Sequence, residues 1–212
     1  MKRILLTGFE PFGGDELNPS LLAVRALHGR QVGGHRIVAA GLPTTFDAAH
    51  VALRGLLRVH RPALVLCTGL AGGREGFSLE RVAINVNDAR IADNAGAQPV
   101  DTPVVAGGPA AYFTTLPVKA MLAALQAGGW PAQVSQSAGT FVCNHVFYAL
   151  MHELASTRSL RATRGGFLHL PWLPEMGSPS LPLDAMVQGL RVVLRAALAH
   201  TRDLAIAAGA EH

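Results

Sequence analysis

The sequence predicts an α/β fold: a three-layer α/β/α sandwich around a mostly parallel, twisted sheet, as in phosphorylases and many hydrolases. Three observations support this prediction. Short apolar segments alternate with segments of helical spacing, as expected of β–α–β units with right-handed crossovers. Residues 63–67 are apolar throughout, which is typical of the buried centre of a parallel sheet. Half of the 212 residues are hydrophobic, enough to bury a sizeable core. We expect one domain over residues 1–212.

The first part of the chain carries three predicted strands and two predicted helices. Asn18 is suited to cap the first helix and Pro19 to occupy its first position. The second helix ends before Pro62. In chain order, these elements are a strand at 3–7, a helix from 18 to about 28, a strand at 36–40, a helix at 45–60 and a strand at 63–67.

Residues 69–109 interrupt this alternation and are rich in Gly, Asn and Asp, with one extended piece at 80–86. A loop-heavy region of this length inside a compact domain is usually functional. The regular pattern then resumes. Its elements are a helix at 116–126, a strand at 132–135, a helix at 143–154, a strand at 166–170 and an amphipathic helix at 182–200.

Composition excludes several classes of protein. The net charge is +4, but the arginines are scattered and not interleaved with aromatic residues, so we predict no nucleic-acid partner. No apolar run is long enough to span a membrane, and the first residues read as a strand rather than a signal peptide, so the cytoplasm is the expected location. Two cysteines far apart in sequence make neither a disulfide scaffold nor a zinc site.

The glycine-rich turn at 8–14 follows a strand but lacks the patterns of phosphate-binding loops. It contains Phe9 and Phe12 instead, and aromatic side chains after a strand end suit an apolar ligand face. The alternative is a packed turn without a binding role.

Cys143 is the more reactive candidate of the two cysteines. It is predicted at the N-terminus of a helix, where the helix dipole and unpaired N–H groups favour a thiolate and could hold an oxyanion. Cys67 lies at the end of a buried strand, where a thiol is commonly inert. A buried structural role for Cys143 is the alternative.

A nucleophilic cysteine needs a base and a group that orients the base. Among nine histidines, His169 is distinguished by its place near the end of a strand, because the carboxyl ends of strands border the ligand crevice in open α/β sheets. Glu80 begins an otherwise apolar extended piece and could orient the imidazole. The alternatives are a packed strand histidine and an ordinary ion pair with an arginine.

Several long motifs in order resemble the pyroglutamyl peptidase I family of cysteine peptidases. The resemblance runs from about residue 3 to residue 195. The motifs are GFEPFGG at 8–14, NPS at 18–20, ERVAIN at 80–85, DAR at 88–90, GGPAAYF at 107–113, AGTFVCNH at 138–145 and GFLHLP at 166–171.

The resemblance implies a cysteine exopeptidase that removes an N-terminal pyroglutamyl residue from peptides through a thioacyl-enzyme, with no metal or organic cofactor. Cys143 would be the nucleophile, His169 the base and acid, and Glu80 the orienting carboxylate. Arg90 would lie near the oxyanion. The implied pocket positions are Phe9, Phe12, Thr44, Ile91, Phe141 and Val142.

One position departs from the family pattern: Leu70 stands where the family usually has Gln. Little changes if the backbone binds the substrate there, whereas affinity for the lactam falls if the side chain does. The resemblance also implies a homotetramer or a homodimer.

The flat pyroglutamyl ring could be sandwiched between Phe9 and Phe12, with its lactam N–H and C=O paired to backbone groups of the glycine-rich loops. The runner-up interpretation is a binding protein or transferase, such as a nucleoside-phosphorylase-like relative, since fold alone does not fix function. Phosphate-dependent chemistry would not require Cys143, His169 and Glu80 together.

Overall fold

A computed structural model describes residues 1–209; the last three positions of the predicted domain, 210–212, lie outside the described residues. The strands are β1 (Arg3–Phe9), β2 (Gln31–Val32), β3 (His35–Leu42), β4 (Leu64–Leu70), β5 (Phe77–Glu80), β6 (Val82–Ile84), β7 (Ala111–Phe113), β8 (Ala132–Ser135) and β9 (Arg164–Leu170). The helices are α1 (Pro19–Ala26), α2 (Phe46–His60), α3 (Val118–Ala127), α4 (Val142–Ser156) and α5 (Leu183–Ala199), with a 3-10 turn at Arg158–Leu160.

The central sheet has seven strands in the order β2-β3-β1-β4-β9-β5-β8. The pairs β3–β1, β1–β4, β4–β9 and β5–β8 are parallel. Strand β2 is antiparallel to β3, and β5 is antiparallel to β9. The prediction of an α/β fold with a mostly parallel sheet is confirmed; the β2–β3 and β5–β9 pairs are its antiparallel exceptions.

Helices cover both faces of this sheet, as the alternation of strand side chains requires. In β1, Ile4 and Leu6 pack into the core formed with α1, α3 and α5, whereas Leu5 packs into the core formed with α2 and α4. All three of these side chains are fully buried. The predicted three-layer arrangement is therefore present, and the face covered by α2 and α4 is the one that carries the candidate site.

The ends of the first two helices have local causes. The Asn18 side chain accepts a hydrogen bond from the Ser20 N–H at 3.0 Å, and Pro19 occupies the first helical position, as predicted. Helix α2 ends at His60; the next residue, Arg61, caps it in a left-handed conformation with φ of 42°, and Pro62 follows. Within residues 1–209, no helix combines the length and apolarity needed to cross a membrane.

The extended piece predicted at 80–86 is not one strand. Strand β5 ends at Glu80 in the central sheet, and β6 pairs antiparallel with β7 in a separate two-stranded sheet. The break is at Arg81, whose N–H bonds to the carbonyl of Ser135 and whose carbonyl accepts from the Thr114 N–H. The chain thus leaves one sheet and joins the other at a single residue, directly after a candidate site residue. Strands β2 and β7 were not predicted either.

Candidate active site

The neighbouring strands β4, β9 and β5 place several polar and small residues on one sheet face. Gly69 of β4 lies directly opposite His169 of β9. Glu80 of β5 pairs with Phe167, two residues before His169, so Glu80 and His169 are diagonal neighbours on the same face. Their side chains meet: His169 Nδ1 lies 2.7 Å from Glu80 Oε1. Glu80 is fully buried and His169 is 4% exposed.

Cys143 reaches this pair from the helix above. It is the second residue of α4, whose N-terminus faces the ends of β4 and β9. A Cβ atom added to Gly69 would lie 2.7 Å from Cys143 Sγ and 3.3 Å from His169 Cδ2. The sulfur and the imidazole therefore converge over one glycine. The three residues predicted as a triad, Cys143, His169 and Glu80, are thus brought together.

The electrostatic setting of Cys143 differs from the sequence-based expectation. Burial, together with the Glu80 carboxylate, raises the pKa of its thiol to about 12, and the Arg74 guanidinium opposes this rise. Burial and the Glu80 charge therefore act against the expected preference for a thiolate at the helix N-terminus, which stays a prediction. Cys67 is fully buried, and burial raises its thiol pKa to about 12 as well.

The start of α4 is fixed by hydrogen bonds from the segment 84–88. The buried Asn144 side chain donates to the carbonyls of Ile84 and Val86 and accepts from the Ile84 N–H at 3.0 Å. The Thr140 hydroxyl donates a hydrogen bond to the Asp88 carbonyl at 2.7 Å. These bonds hold the residues on both sides of Cys143, so its sulfur is positioned by the backbone.

Aromatic side chains form a wall beside Cys143. Phe141 lies 6.1 Å from Phe12 and 5.4 Å from Phe46, measured between ring centroids. Phe9 is instead 2% exposed, with its ring packed toward Phe167 in the core. Phe12 and Phe141 are thus neighbouring aromatic side chains, and the expected sandwich of a ligand between Phe9 and Phe12 stays a prediction.

The other predicted pocket positions differ from one another in burial and orientation. Thr44 is buried, and its hydroxyl donates to the Glu10 carbonyl at 2.7 Å, while Val142 is fully buried. Leu70 ends β4 and, by strand alternation, faces away from the side of the sheet that carries Gly69. Arg90 and Ile91 are exposed on the loop after β6. Contact of these residues with a substrate stays a prediction.

Two residues of this site were missed by the sequence analysis. Gly69 interrupts an apolar strand, a pattern that indicates a close approach of another group, and this signal was available. Arg74 donates to Glu80 Oε1 at 2.9 Å from the loop between β4 and β5. No spacing rule links Arg74 to Glu80, so its role follows from the fold alone. Over the described residues 1–209, no three His, Cys, Asp or Glu side chains are grouped so as to hold a metal ion.

Comparison with known proteins gives consistent matches over the whole length. The family model described as pyroglutamyl peptidase matches residues 2–200. The pyrrolidone-carboxylate peptidase of Cupriavidus taiwanensis is 57% identical over 100% of both chains. The crystal structure of pyroglutamyl peptidase I from Bacillus amyloliquefaciens superposes with a TM-score of 0.93 at 46% identity, covering 96% of this chain and 100% of that one. A mutant pyrrolidone carboxyl peptidase from Pyrococcus furiosus gives a TM-score of 0.89 at 36% identity, covering 93% and 98%. The chain therefore belongs to the pyroglutamyl peptidase family of cysteine peptidases.

Proposed function

We propose that this protein removes the N-terminal pyroglutamyl residue from peptides through a Cys143–His169–Glu80 triad. The observation that carries the proposal is the 2.7 Å contact between Glu80 and His169 beside the Cys143 sulfur. An oriented base beside a nucleophile is the arrangement that acyl transfer requires. The family membership supplies the substrate class.

The geometry supports a mechanism that begins from the neutral thiol. His169 takes the proton of Cys143 as the sulfur attacks the pyroglutamyl carbonyl carbon. Collapse of the tetrahedral intermediate breaks the C–N bond, and His169 gives its proton to the leaving amine. Water then attacks the thioester with His169 as base, the C–S bond breaks, and the proton returns to the sulfur. Throughout the cycle, Glu80 accepts a hydrogen bond from the Nδ1–H group of His169 and stabilises the imidazolium.

Backbone groups at the start of α4 are suited to hold the oxyanion. The first bond of the helical i→i−4 pattern runs from the His145 N–H to the Phe141 carbonyl, so the N–H groups of residues 142–144 precede that pattern. Two or more such donors beside a nucleophile form an oxyanion hole. A role for Arg90 beside them stays part of this proposal, since its position on the exposed loop leaves the side chain accessible.

The aromatic wall suits the lactam ring. Phe12 and Phe141 offer an apolar surface on which a flat five-membered ring can pack, and backbone groups can pair its N–H and C=O. A prolyl ring has the same size but lacks the lactam carbonyl, so it would leave a backbone donor unpaired. Such a mismatch discriminates by about 10⁴-fold in rate.

Hydrolysis of a chromogenic pyroglutamyl amide, with a prolyl amide as the control, tests this function. We expect turnover of the pyroglutamyl compound alone, and its loss after alkylation of Cys143 with iodoacetamide. Equal turnover of both amides would refute the specificity, and full activity after alkylation would refute the thiol mechanism. Tight binding of phosphate or a nucleoside, with no hydrolysis, would favour the transferase alternative.

We also propose that the protein acts as a homo-oligomer, a dimer or a tetramer. Phe113 on β7 is 68% exposed, and β7 forms part of the small two-stranded sheet. Burying such an aromatic residue favours association. Light scattering during size-exclusion chromatography measures the state, and a monomer at micromolar concentration would contradict this proposal.

A further inference from the structure

The carboxylate of Glu80 is shared between two donors. Its Oε1 atom lies 2.7 Å from His169 Nδ1 and 2.9 Å from Arg74 Nη1. The other oxygen, Oε2, is buried without a hydrogen-bond partner among the described residues. Both interactions that offset the burial of this charge therefore converge on one oxygen, and only Arg74 brings a permanent positive charge.

A buried carboxylate beside a neutral imidazole alone would tend to take up a proton, because burial disfavours the charged form. A protonated Glu80 would donate to His169 Nδ1 and so shift the imidazole proton to Nε2. That tautomer cannot accept the proton of the Cys143 thiol. The state of Glu80 thus decides whether His169 can act as a base.

We propose that Arg74 is a positioning residue of the triad: it holds Glu80 as a carboxylate, so that His169 keeps its proton on Nδ1 and offers a free Nε2 to Cys143. The proposal rests on the proposed function for its catalytic consequence. Arg74 acts through Glu80 and need not touch the substrate.

The chain brings Arg74 to this position by a tight loop. Gly73 adopts a φ of 79°, which reverses the chain after β4. Gly72 packs against Trp172, and a Cβ atom there would lie 2.3 Å from the indole ring. The Arg74 side chain is 29% exposed, and its guanidinium reaches the fully buried carboxylate.

The charged and titratable groups around Glu80 come from three neighbouring elements. His169 lies on β9, Cys143 on α4 and Arg74 on the β4–β5 loop. The buried Cys67 thiol of β4 acts on Cys143. Strand β8, which pairs with β5, contributes no titratable side chain in residues 132–135. Arg81 is adjacent in sequence but donates to the Ala208 carbonyl. Arg74 is therefore the cation that balances Glu80.

This balance extends to the nucleophile. The Glu80 carboxylate raises the pKa of the Cys143 thiol and the Arg74 guanidinium lowers it. Removal of the guanidinium charge leaves the effect of Glu80 on Cys143 unopposed. The thiol then ionises less readily, and its reaction with an alkylating reagent at fixed pH slows.

The test compares Arg74→Gln, which removes the charge and keeps an amide donor, with Arg74→Lys, which keeps the charge. The matched control is Arg54→Gln, because Arg54 pairs with Glu153 at 2.7 Å between α2 and α4, away from the triad. For each protein, kcat/KM for the pyroglutamyl amide is measured from pH 5 to 9. The alkylation rate of Cys143 at pH 8 is followed by peptide mass spectrometry, which needs no catalytic turnover.

On the acid side of the pH profile, kcat/KM falls; this acid limb should lie about one pH unit higher in Arg74→Gln than in the wild-type protein. The reason is that an opposite charge at this distance shifts the pKa of a neighbouring group by about one unit or more. Alkylation of Cys143 slows about threefold, because the tenfold loss of thiolate is partly offset by its greater nucleophilicity. Arg74→Lys restores the wild-type limb, and Arg54→Gln leaves both readouts unchanged.

Wild-type values of both readouts in Arg74→Gln would overturn the proposal. If Arg74→Gln does not fold, Arg74→Met takes its place as the variant without the charge, and wild-type values of both readouts there overturn the proposal. Absence of hydrolysis in the wild-type protein would instead refute the proposed function. The alkylation rates would still decide whether Arg74 balances Glu80.

Discussion

Gly69 offers the sharpest test of how the site is built, through the substitution Gly69→Ala. The added Cβ would lie 2.7 Å from Cys143 Sγ, 3.1 Å from Phe167 Cζ and 3.3 Å from His169 Cδ2. An ordinary contact of this kind is about 3.5 to 4 Å, so the sulfur must move by about 1 Å. The backbone of Gly69 lies outside the left-handed region, so the added methyl group is the whole perturbation.

A displacement of this size between nucleophile and base costs about 100-fold in rate. We therefore expect kcat/KM for the pyroglutamyl amide to fall about 100-fold in Gly69→Ala. Overpacking at this position costs about 1–3 kcal/mol of the free energy of unfolding, which urea titration measures. The variant should thus fold and bind substrate but turn it over slowly.

Gly55→Ala is the matched control. Gly55 lies on the exposed side of α2, and nothing approaches within 4 Å of its added Cβ. Alanine in a helix interior is favoured over glycine by about 0.5–1 kcal/mol, so this variant should be slightly more stable and fully active. A folded Gly69→Ala protein with wild-type kcat/KM would refute the assigned contact between Gly69 and Cys143.

Three further predictions concern the titratable groups. Cys143→Ser should lower kcat/KM by about 10⁴-fold, whereas Cys67→Ser should leave it unchanged; steady-state hydrolysis measures both, and an active Cys143→Ser would contradict the mechanism. Because burial raises the thiol pKa to about 12, alkylation of Cys143 should accelerate about tenfold per pH unit from pH 7 to 9, and a plateau in that range would contradict a neutral resting thiol. Burial also lowers the pKa of His145 to about 4, below the ordinary value of 6.5. The stability that the neutral His145 contributes is therefore fully present above pH 6.5 and is lost as the pH falls toward 4. Between pH 7 and pH 5, the free energy of unfolding measured by urea titration should fall by about 2 kcal/mol more in the wild-type protein than in His145→Gln. An equal fall in both proteins would contradict this prediction.

The elements that the sequence predicted are those with a strong local signal. Strand β4 was predicted because residues 63–67 are apolar throughout, and α1 because Asn18 and Pro19 specify its start. Strand β2 has two residues, and β7 has three, too few for any period to emerge. The direction of β5 against β9 depends on the pairing of Glu80 with Phe167, which is a tertiary contact.

The site residues likewise divide into those with a local sequence signal and those that depend on tertiary contacts. Cys143 and His169 stand at a helix start and near a strand end, so the sequence alone pointed to them, and Glu80 could be proposed as a carboxylate in an apolar segment. The packing of Phe9 toward Phe167 was not accessible, because it is a tertiary contact between β1 and β9. Arg74 was missed because its interaction with Glu80 arises from the turn at Gly73 and from the packing of Trp172 on Gly72.

In the proposed mechanism, Cys143 carries the pyroglutamyl group as a thioester during turnover. Acid quenching of the enzyme during hydrolysis of a pyroglutamyl ester, followed by peptide mass spectrometry, detects this intermediate. We predict a pyroglutamyl thioester on the peptide that contains Cys143 and an unmodified peptide that contains Cys67. Turnover with no adduct on Cys143 at any quench time, or an adduct on another residue, would contradict the account.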